Sequence, residues 1–156
     1  GPRKPKDYLN NTIVWNQPYR PGKVVVIGYK GGKEVCRDSI RTSKPVATHY
    51  TLTPDRSTLK ADGQDLSFIS LQLFDENGVP VRINDRMVTV RVEGDGRLMG
   101  IDSGEMRREL RFDSHSLPTY FGKCQIVVQA GRIKGTLKVI VQVEGLPEQV
   151  LNIECL

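Results

Sequence analysis

The sequence is poor in the residues from which metal sites and disulfide frameworks are built. Its 156 residues include three cysteines, which are far apart, and two histidines, which have no zinc-ligand spacing. Acidic residues are dispersed and form no calcium-loop pattern. We therefore expect no metal site and no cofactor. We expect Cys36, Cys124 and Cys155 to be buried or partly buried free thiols, with one adventitious disulfide as the alternative.

Long apolar runs and a targeting segment are also missing. No run approaches the length of about 20 apolar residues that a membrane-spanning helix requires. The first residues, GPRKPKDYLNN, contain neither an initiator methionine nor the apolar stretch of a signal peptide. We therefore expect no membrane span, and we interpret the chain as a piece cut from a longer protein.

Positive charge is present but not clustered. The formal net charge is +5 and the isoelectric point is about 9.2, which would suit an acidic partner such as nucleic acid. The 23 Lys and Arg residues are nevertheless scattered among 18 acidic ones. A nucleic-acid-binding face needs clustered cations and aromatic rings that stack on bases. We therefore expect no nucleic-acid partner.

What the sequence does contain is a strand pattern. Thr12–Trp15 is β-branched and aromatic, KVVVIGYKGGKEV is interrupted by a two-glycine hairpin signal, and DSIRTS predicts a third short strand. Apolar residues alternate in four later segments, SFISLQLFD, MVTVRVEG, CQIVVQAG and TLKVIVQVEG, with Ile140 as an exception in the last. The best helix candidate, GEMRRELRF, lacks a second apolar turn. Short strands punctuated by Gly, Pro, Asn and Asp predict an all-β, immunoglobulin-like β-sandwich.

The stretch LKADGQDLSFISLQLFDENGVPV shows both faces of one such strand. Ile69, Leu71 and Leu73 are predicted to face the core. Phe68 and Phe74 lie on the opposite face, so we expect part of that face to be covered too. The DENG that follows supplies residues that tolerate a left-handed backbone, as a hairpin corner requires. The stretch predicts scaffold rather than active site.

One acidic cluster is a candidate for catalysis. Asp102, Glu105 and Glu109 are close in sequence, and glycoside hydrolysis needs two carboxylates that face one bond. Three arginines are interleaved with them, and these would hold the carboxylate pKa values low rather than raise one of them. A solvated charged loop is the favoured interpretation.

Two other candidates are weaker. Ser103 lacks the elbow motif of a nucleophilic serine, and His115 is not placed to act as its base in a recognisable order. The glycines of GDGRLMGIDSG are not followed by a helix, so they predict turns rather than a phosphate cradle. We predict no catalytic residue in this chain. Trp15 and Tyr19 could form a carbohydrate-stacking platform, although a core or hinge anchor is the more usual role of such a tryptophan.

The order of the motifs resembles a known family. WNQPYRPGKVVVIGYKGGKEVCRDSIRTSKPV resembles the later half of a small Ig-like domain near the C-terminus of bacterial glycoside hydrolase family 2 proteins, the β-galactosidase relatives. LTPDRSTLKADGQDLSFISLQLFDENGVPV, VRVEGDGRLMGIDSGE and YFGKCQIVVQAG are similar to the Ig-like domain that follows it. The loop MRRELRFDSHSLPT departs from the family pattern.

The resemblance implies a two-part organisation. Residues 1–45 would be the truncated C-terminal part of a small Ig-like domain with an unpaired sheet edge, and residues 46–156 a complete Ig-like domain. The family's catalytic glutamates are on a separate TIM barrel and match nothing here. The implied function is that of a non-catalytic accessory scaffold, whose partners are the upstream barrel and sandwich domains of the parent chain, or another copy through the exposed edge. A periplasmic or extracellular parent is expected from family habits.

Two alternatives remain open from the residues. One is a carbohydrate-binding module that uses Trp15 and Tyr19. The other is a bacterial surface adhesin, because invasin-type Ig-like repeats share the ADG…D-x-x-G-x-P-V pattern.

Overall fold

The computed structural model describes residues 12–82, 85–107, 111 and 113–156. Eleven β-strands and no helix occur in these ranges, which confirms the all-β expectation. No helix long and apolar enough to cross a membrane is found in them. The chain divides into two compact units, Gly1–Thr42 and Ser43–Leu156. The strands are β1 Lys23–Lys30, β2 Lys33–Arg41, β3 His49–Pro54, β4 Thr58–Leu59, β5 Leu66–Phe74, β6 Met87–Glu93, β7 Gly96–Asp102, β8 Ser116–Pro118, β9 Lys123–Ala130, β10 Gly135–Val143 and β11 Gln149–Cys155.

In its described residues, 12–42, the first unit contains one antiparallel hairpin. β1 pairs with β2 from Lys23↔Arg41 to Lys30↔Lys33, and the turn between them is the predicted Gly31-Gly32 pair. Both glycines have positive φ, as such a two-residue turn requires. The expectation of a separate strand at DSIRTS is wrong, because its first four residues belong to β2, which pairs with β1 as one strand. The strand expected at Thr12–Trp15 is also wrong, since that segment lies outside every strand of the described residues.

The second unit is a two-sheet sandwich. A five-stranded sheet has the order β4-β11-β10-β6-β8, and a four-stranded sheet has the order β3-β5-β9-β7. Strands adjacent in sequence are repeatedly placed in opposite sheets, as in Ig-like domains. The predicted Ig-like sandwich is confirmed.

The core is built from the alternating rows that the sequence predicted. On β5, Ile69, Leu71 and Leu73 are fully buried, and their neighbours face outward. The same pattern holds on the other long strands, where the buried rows are Val88 and Val90 on β6, Cys124, Ile126, Val128 and Ala130 on β9, and Leu137, Val139, Val141 and Val143 on β10. Ile140 breaks the alternation as expected, and it is only 5% exposed on the outer side of β10.

The DENG turn is organised by a buried carboxylate. Asp75 is 1% exposed, and its Oδ1 accepts hydrogen bonds from the backbone N–H groups of Asn77 and Val79, each at 2.9 Å. Its Oδ2 accepts from the N–H of Lys44 at 2.8 Å. These backbone donors, the Lys44 N–H first, hold the pKa of Asp75 below its ordinary value despite burial. Gly78 completes the turn at φ 70°.

A second polar anchor joins the two sheets. The Tyr50 hydroxyl, on β3, donates to the carbonyl of Val141 on β10 at 2.7 Å and also lies 3.0 Å from the carbonyl of Pro147. The Gln149 side-chain amide returns a bond to the Tyr50 carbonyl at 2.9 Å. Tyr50 therefore fixes the first strand of the sandwich to the opposite sheet.

Candidate functional site

The carboxylates of the predicted acidic cluster that the structure describes make local contacts within their own loop. Asp102 ends β7 and accepts a hydrogen bond from the Gly104 N–H at 3.1 Å. Glu105 receives both ends of the Arg107 guanidinium, at 2.9 and 3.1 Å, and this pairing raises the pKa of Arg107. Glu109 lies outside the described residues. These contacts are typical of the charged loop that the sequence favoured. Asp102 accepts a hydrogen bond from a backbone N–H, and Glu105 binds the Arg107 guanidinium.

Ser103 and His115 do not form a nucleophile and base pair. The Ser103 hydroxyl is buried without a hydrogen-bond partner in the described part of the chain. His115 lies before β8, where its carbonyl accepts from the Val90 N–H at 2.8 Å. No hydrogen bond between the two side chains occurs among the described residues.

The three thiols are free. Cys124 and Cys155 are buried in the sandwich, and burial raises the pKa of the Cys124 thiol to about 12. Cys36, on β2, is exposed, so the expectation of a buried or partly buried thiol is wrong at this position. Within the described ranges, no group of three or more His, Cys, Asp and Glu side chains could hold a metal ion.

The predicted stacking residues lie in the segment before β1. Trp15 is 42% exposed and Tyr19 is 77% exposed. No contact between their two rings occurs in the part of the chain that the structure describes. Both rings therefore present surface to solvent.

Sequence reasoning missed the most regular exposed surface, the outer side of the four-stranded sheet. We call it the β5 face. The register places His49 beside Phe74, Thr51 beside Gln72, and Thr53 beside Ser70. The same face continues onto β9 through Lys123, Gln125 and Val127. Phe68 is 44% exposed on this face, whereas Phe74 is half-buried against His49, so the face is covered only in part. The sequence feature that could have indicated this surface is the alternation on β5, which places Phe68, Ser70, Gln72 and Phe74 on the outward side.

The β5 face is internally hydrogen-bonded. The Ser70 hydroxyl donates to Gln125 Oε1 at 3.2 Å. The Gln72 amide nitrogen donates to the carbonyls of Leu73 and Gly122 at 2.9 and 3.2 Å. The His49 and Phe74 rings stack, with centroids 5.5 Å apart and an interplanar angle of 14°. These contacts fix the side chains that the face presents to solvent.

A small depression lies at one end of the sandwich. Its volume is about 210 Å³, and Asp95, Ile133, Lys134 and Cys155 line it. Asp95 is already engaged, because its Oδ2 accepts from the Ile133 N–H at 2.6 Å. The depression therefore holds one committed carboxylate rather than two that converge.

Together, the two-sheet core and its strand order define an all-β, immunoglobulin-like β-sandwich domain. The chain belongs to glycoside hydrolase family 2, since residues 51–152 match the model "Glycoside hydrolase family 2 C-terminal domain 5". Residues 1–36 match a second model, "Domain of unknown function (DUF4982)". The resemblance stated from the motifs is confirmed.

Related proteins and solved structures agree with this assignment. The chain is 37% identical over 150 residues to "Beta-galactosidase BoGH2A" of Bacteroides ovatus, which covers 96% of this chain and 18% of that protein. A glycosyl hydrolase family 2 member from Bacteroides cellulosilyticus superimposes with a TM-score of 0.86 at 29% identity, over 94% of this chain and 19% of that one. A β-glycosidase from Bacteroides vulgatus gives a TM-score of 0.82 at 28% identity, over 94% and 19% of the two chains. The chain thus spans about a fifth of the length of these relatives.

Proposed function

We propose that this chain is the non-catalytic C-terminal accessory region of a larger glycoside hydrolase family 2 enzyme of the β-galactosidase type. The larger enzyme would hydrolyse O-glycosidic bonds with other domains of the same polypeptide. The observation that carries the proposal is the match of residues 51–152 to a C-terminal domain model of the family. The Glu105–Arg107 pair supports it, because a carboxylate committed to a guanidinium is a poor general acid.

The role we assign to the sandwich is mechanical. Its interior is a continuous cluster of buried hydrophobic side chains, which gives a rigid body rather than a cleft. A rigid sandwich can support or space the catalytic domain without contacting substrate. The upstream barrel and sandwich domains are therefore its proposed partners.

This proposal is tested by removing residues 43–156 from the larger polypeptide. We expect kcat/KM for an aryl β-galactoside to stay within about threefold, because no reacting group is removed. We expect the apparent Tm of the remaining enzyme to fall, because a supporting domain is lost. A loss of kcat by about a hundredfold or more with an unchanged Tm would contradict the accessory role.

For the first unit, we propose that residues 1–45 are the later part of a small Ig-like domain. The face of the hairpin that carries Val24, Val26 and Ile40 is exposed, and the pairing Gly28↔Cys36 lies on the same face. Over these pairs the face is largely apolar, with Asp38 opposite Val26 as its one charge. An isolated two-stranded hairpin is marginally stable in water, so an apolar face of this kind needs further strands. We assign those strands to the rest of the larger polypeptide, with pairing to a second copy as the alternative.

Cys36 reports whether that face is covered. In the 156-residue chain we expect a thiol reagent near neutral pH to label Cys36, while the buried Cys124 and Cys155 stay unlabelled. In the larger polypeptide we expect Cys36 to be protected, and Cys36→Ser serves as the blank. Equal labelling of Cys36 in both proteins would contradict the covered face, and protection that grows with the concentration of the short chain would indicate a second copy.

A sugar-binding function for Trp15 and Tyr19 is the second candidate. The observation that favours it is the exposure of both rings, at 42% and 77%. Titration of an oligosaccharide while following the fluorescence of the single tryptophan tests it. A saturable change that Tyr19→Ala weakens is expected from this candidate, and a flat titration opposes it.

A further inference from the structure

The β5 face combines aromatic ends with a polar centre. Phe68 lies at one end and the His49–Phe74 stack at the other, six residues along β5, which corresponds to roughly 20 Å of strand. Aromatic rings carry a negative face and offer a flat apolar surface, and the C–H groups of a pyranose ring are complementary to both. Two aromatic surfaces at this spacing on one strand can contact several linked sugar rings, whereas a single sugar ring would reach only one of them.

Between these ends the face carries hydroxyls and side-chain amides. Gln72 and Gln125 are held by their own hydrogen bonds, at 2.9 and 3.2 Å. Those bonds use the Gln72 nitrogen and the Gln125 oxygen. The Gln125 nitrogen and the Gln72 oxygen have no partner among the described residues, so the face offers a fixed donor and a fixed acceptor. A sugar hydroxyl is both acceptor and donor and matches such a pair.

The side-chain types favour a glycan over a protein partner. The centre of the face consists of Thr51, Thr53, Ser70 and the two glutamines, flanked by one charge of each sign, Lys123 on β9 and Asp102 beside Gln125 on β7. Protein interfaces are depleted in serine and obtain their binding energy from buried Trp, Tyr and Arg anchors. A neutral ligand with many hydroxyls satisfies the amides and hydroxyls without burying an unpaired charge.

We propose that the β5 face binds a short neutral oligosaccharide along β5, with Phe68 and the His49–Phe74 stack as stacking surfaces. Gln72 and Gln125 supply the hydrogen bonds between them. The choice of a galactose-containing ligand rests on the proposed function, whereas the site itself rests on the geometry of the face. The site differs from the Trp15 and Tyr19 candidate in both residues and unit.

The test is a titration of the 156-residue chain with β-1,4-linked galactotetraose, followed by amide ¹H–¹⁵N NMR spectra. We expect saturable shifts confined to the out-facing residues of β3, β5 and β9. Phe68→Ala is expected to raise Kd by roughly tenfold, in keeping with the loss of one aromatic contact. Phe68 is exposed, so a well-dispersed spectrum will show that this variant keeps its fold.

The matched control is Val150→Ala, which removes an exposed apolar side chain from the outer side of the five-stranded sheet and should leave Kd unchanged. Three outcomes would overturn the proposal: no shifts at tens of millimolar ligand, shifts centred on Trp15 and Tyr19, or an unchanged Kd in Phe68→Ala. Slow thiol labelling of Ser70→Cys in the larger polypeptide would also overturn it, because a protein segment would then cover the face. Each of these results is independent of whether the larger enzyme needs the region for turnover.

Discussion

At the scale of single residues, Tyr50 is the side chain whose polar atom most directly couples the two sheets. Its ring is buried, and its hydroxyl lies 2.7 Å from the Val141 carbonyl and 3.0 Å from the Pro147 carbonyl. Without these bonds the hydroxyl would be buried with no acceptor, which is costly in a low-dielectric interior. Burial also raises the pKa of Tyr50, so the phenol stays protonated at neutral pH.

Tyr50→Phe is expected to lower the free energy of unfolding by about 1–3 kcal/mol. The ring still fills its place in the core, so the loss isolates the hydroxyl. Urea denaturation followed by circular dichroism measures it. Tyr29→Phe is the control, since Tyr29 is 63% exposed and should be near neutral. A Tyr50 variant as stable as the parent would show that the inter-sheet bond contributes nothing.

At the scale of elements, the turn after β5 depends on Asp75. This carboxylate accepts three backbone hydrogen bonds, and its folded-state pKa is lowered. A lowered folded pKa stabilises the native state above the unfolded pKa, near 4, and the contribution is lost as pH falls through the folded value. Asp75 therefore links the stability of this turn to acid.

Asp75→Asn is expected to lower Tm by several degrees at pH 7, because the amide offers one acceptor oxygen where the carboxylate offers two. The difference in Tm from the parent should shrink as the pH is lowered below about 4. Differential scanning calorimetry between acid and neutral pH measures both effects. Glu76→Gln, in the same turn but exposed, is the matched control and should change Tm little. A pH-independent difference would refute the ionic role of Asp75.

A second element-scale prediction concerns the glycine before β9. Gly122 has φ 69°, and a Cβ added there would lie 2.0 Å from the carbonyl oxygen of Val81. Gly78 has nearly the same φ, 70°, but open space around it. The two sites therefore share the backbone penalty and differ in the steric clash.

Gly78→Ala is expected to cost about 1–2 kcal/mol, the penalty of a left-handed backbone for alanine. Gly122→Ala should cost clearly more, because the backbone of Val81 must move. Parallel urea titrations of the two variants give the difference. Equal losses would mean that the approach of the two backbone segments is not tight.

At the scale of the whole molecule, the positive charge is unevenly placed. Residues 1–42 contain nine Lys and Arg against three Asp and Glu, whereas residues 43–156 contain fourteen against fifteen. The excess of basic residues that makes the isoelectric point high therefore lies in the first unit, and the sandwich itself is close to neutral in formal charge. A general basic surface is thus not a property of the sandwich.

The sandwich was the most predictable part of the molecule. The buried rows of β9 and β10 follow from the alternation of apolar residues, broken only at Ile140 on β10, because a half-buried strand must place every second side chain in the core. Thr12–Trp15 was not predictable in this way. Strand propensity there is high, but a strand forms only where a partner supplies its hydrogen bonds.

The buried polar groups and the β5 face could not be read from periodicity. Asp75 is held by Lys44, 31 residues earlier, and Tyr50 by Val141, 91 residues later. Such partners become neighbours only once the sheets stack. The two phenylalanines of the β5 face suggested a partly covered surface, and the register places Val127 beside Phe68 and His49 beside Phe74, with hydroxyls and amides between the two rings.

The central claim is that this chain carries no reacting groups of its own, and a turnover assay on the purified 156-residue chain tests it most directly. With p-nitrophenyl β-galactoside as substrate, we predict release of p-nitrophenol no faster than in buffer. Turnover that is abolished by Asp102→Asn or Glu105→Gln would contradict the claim.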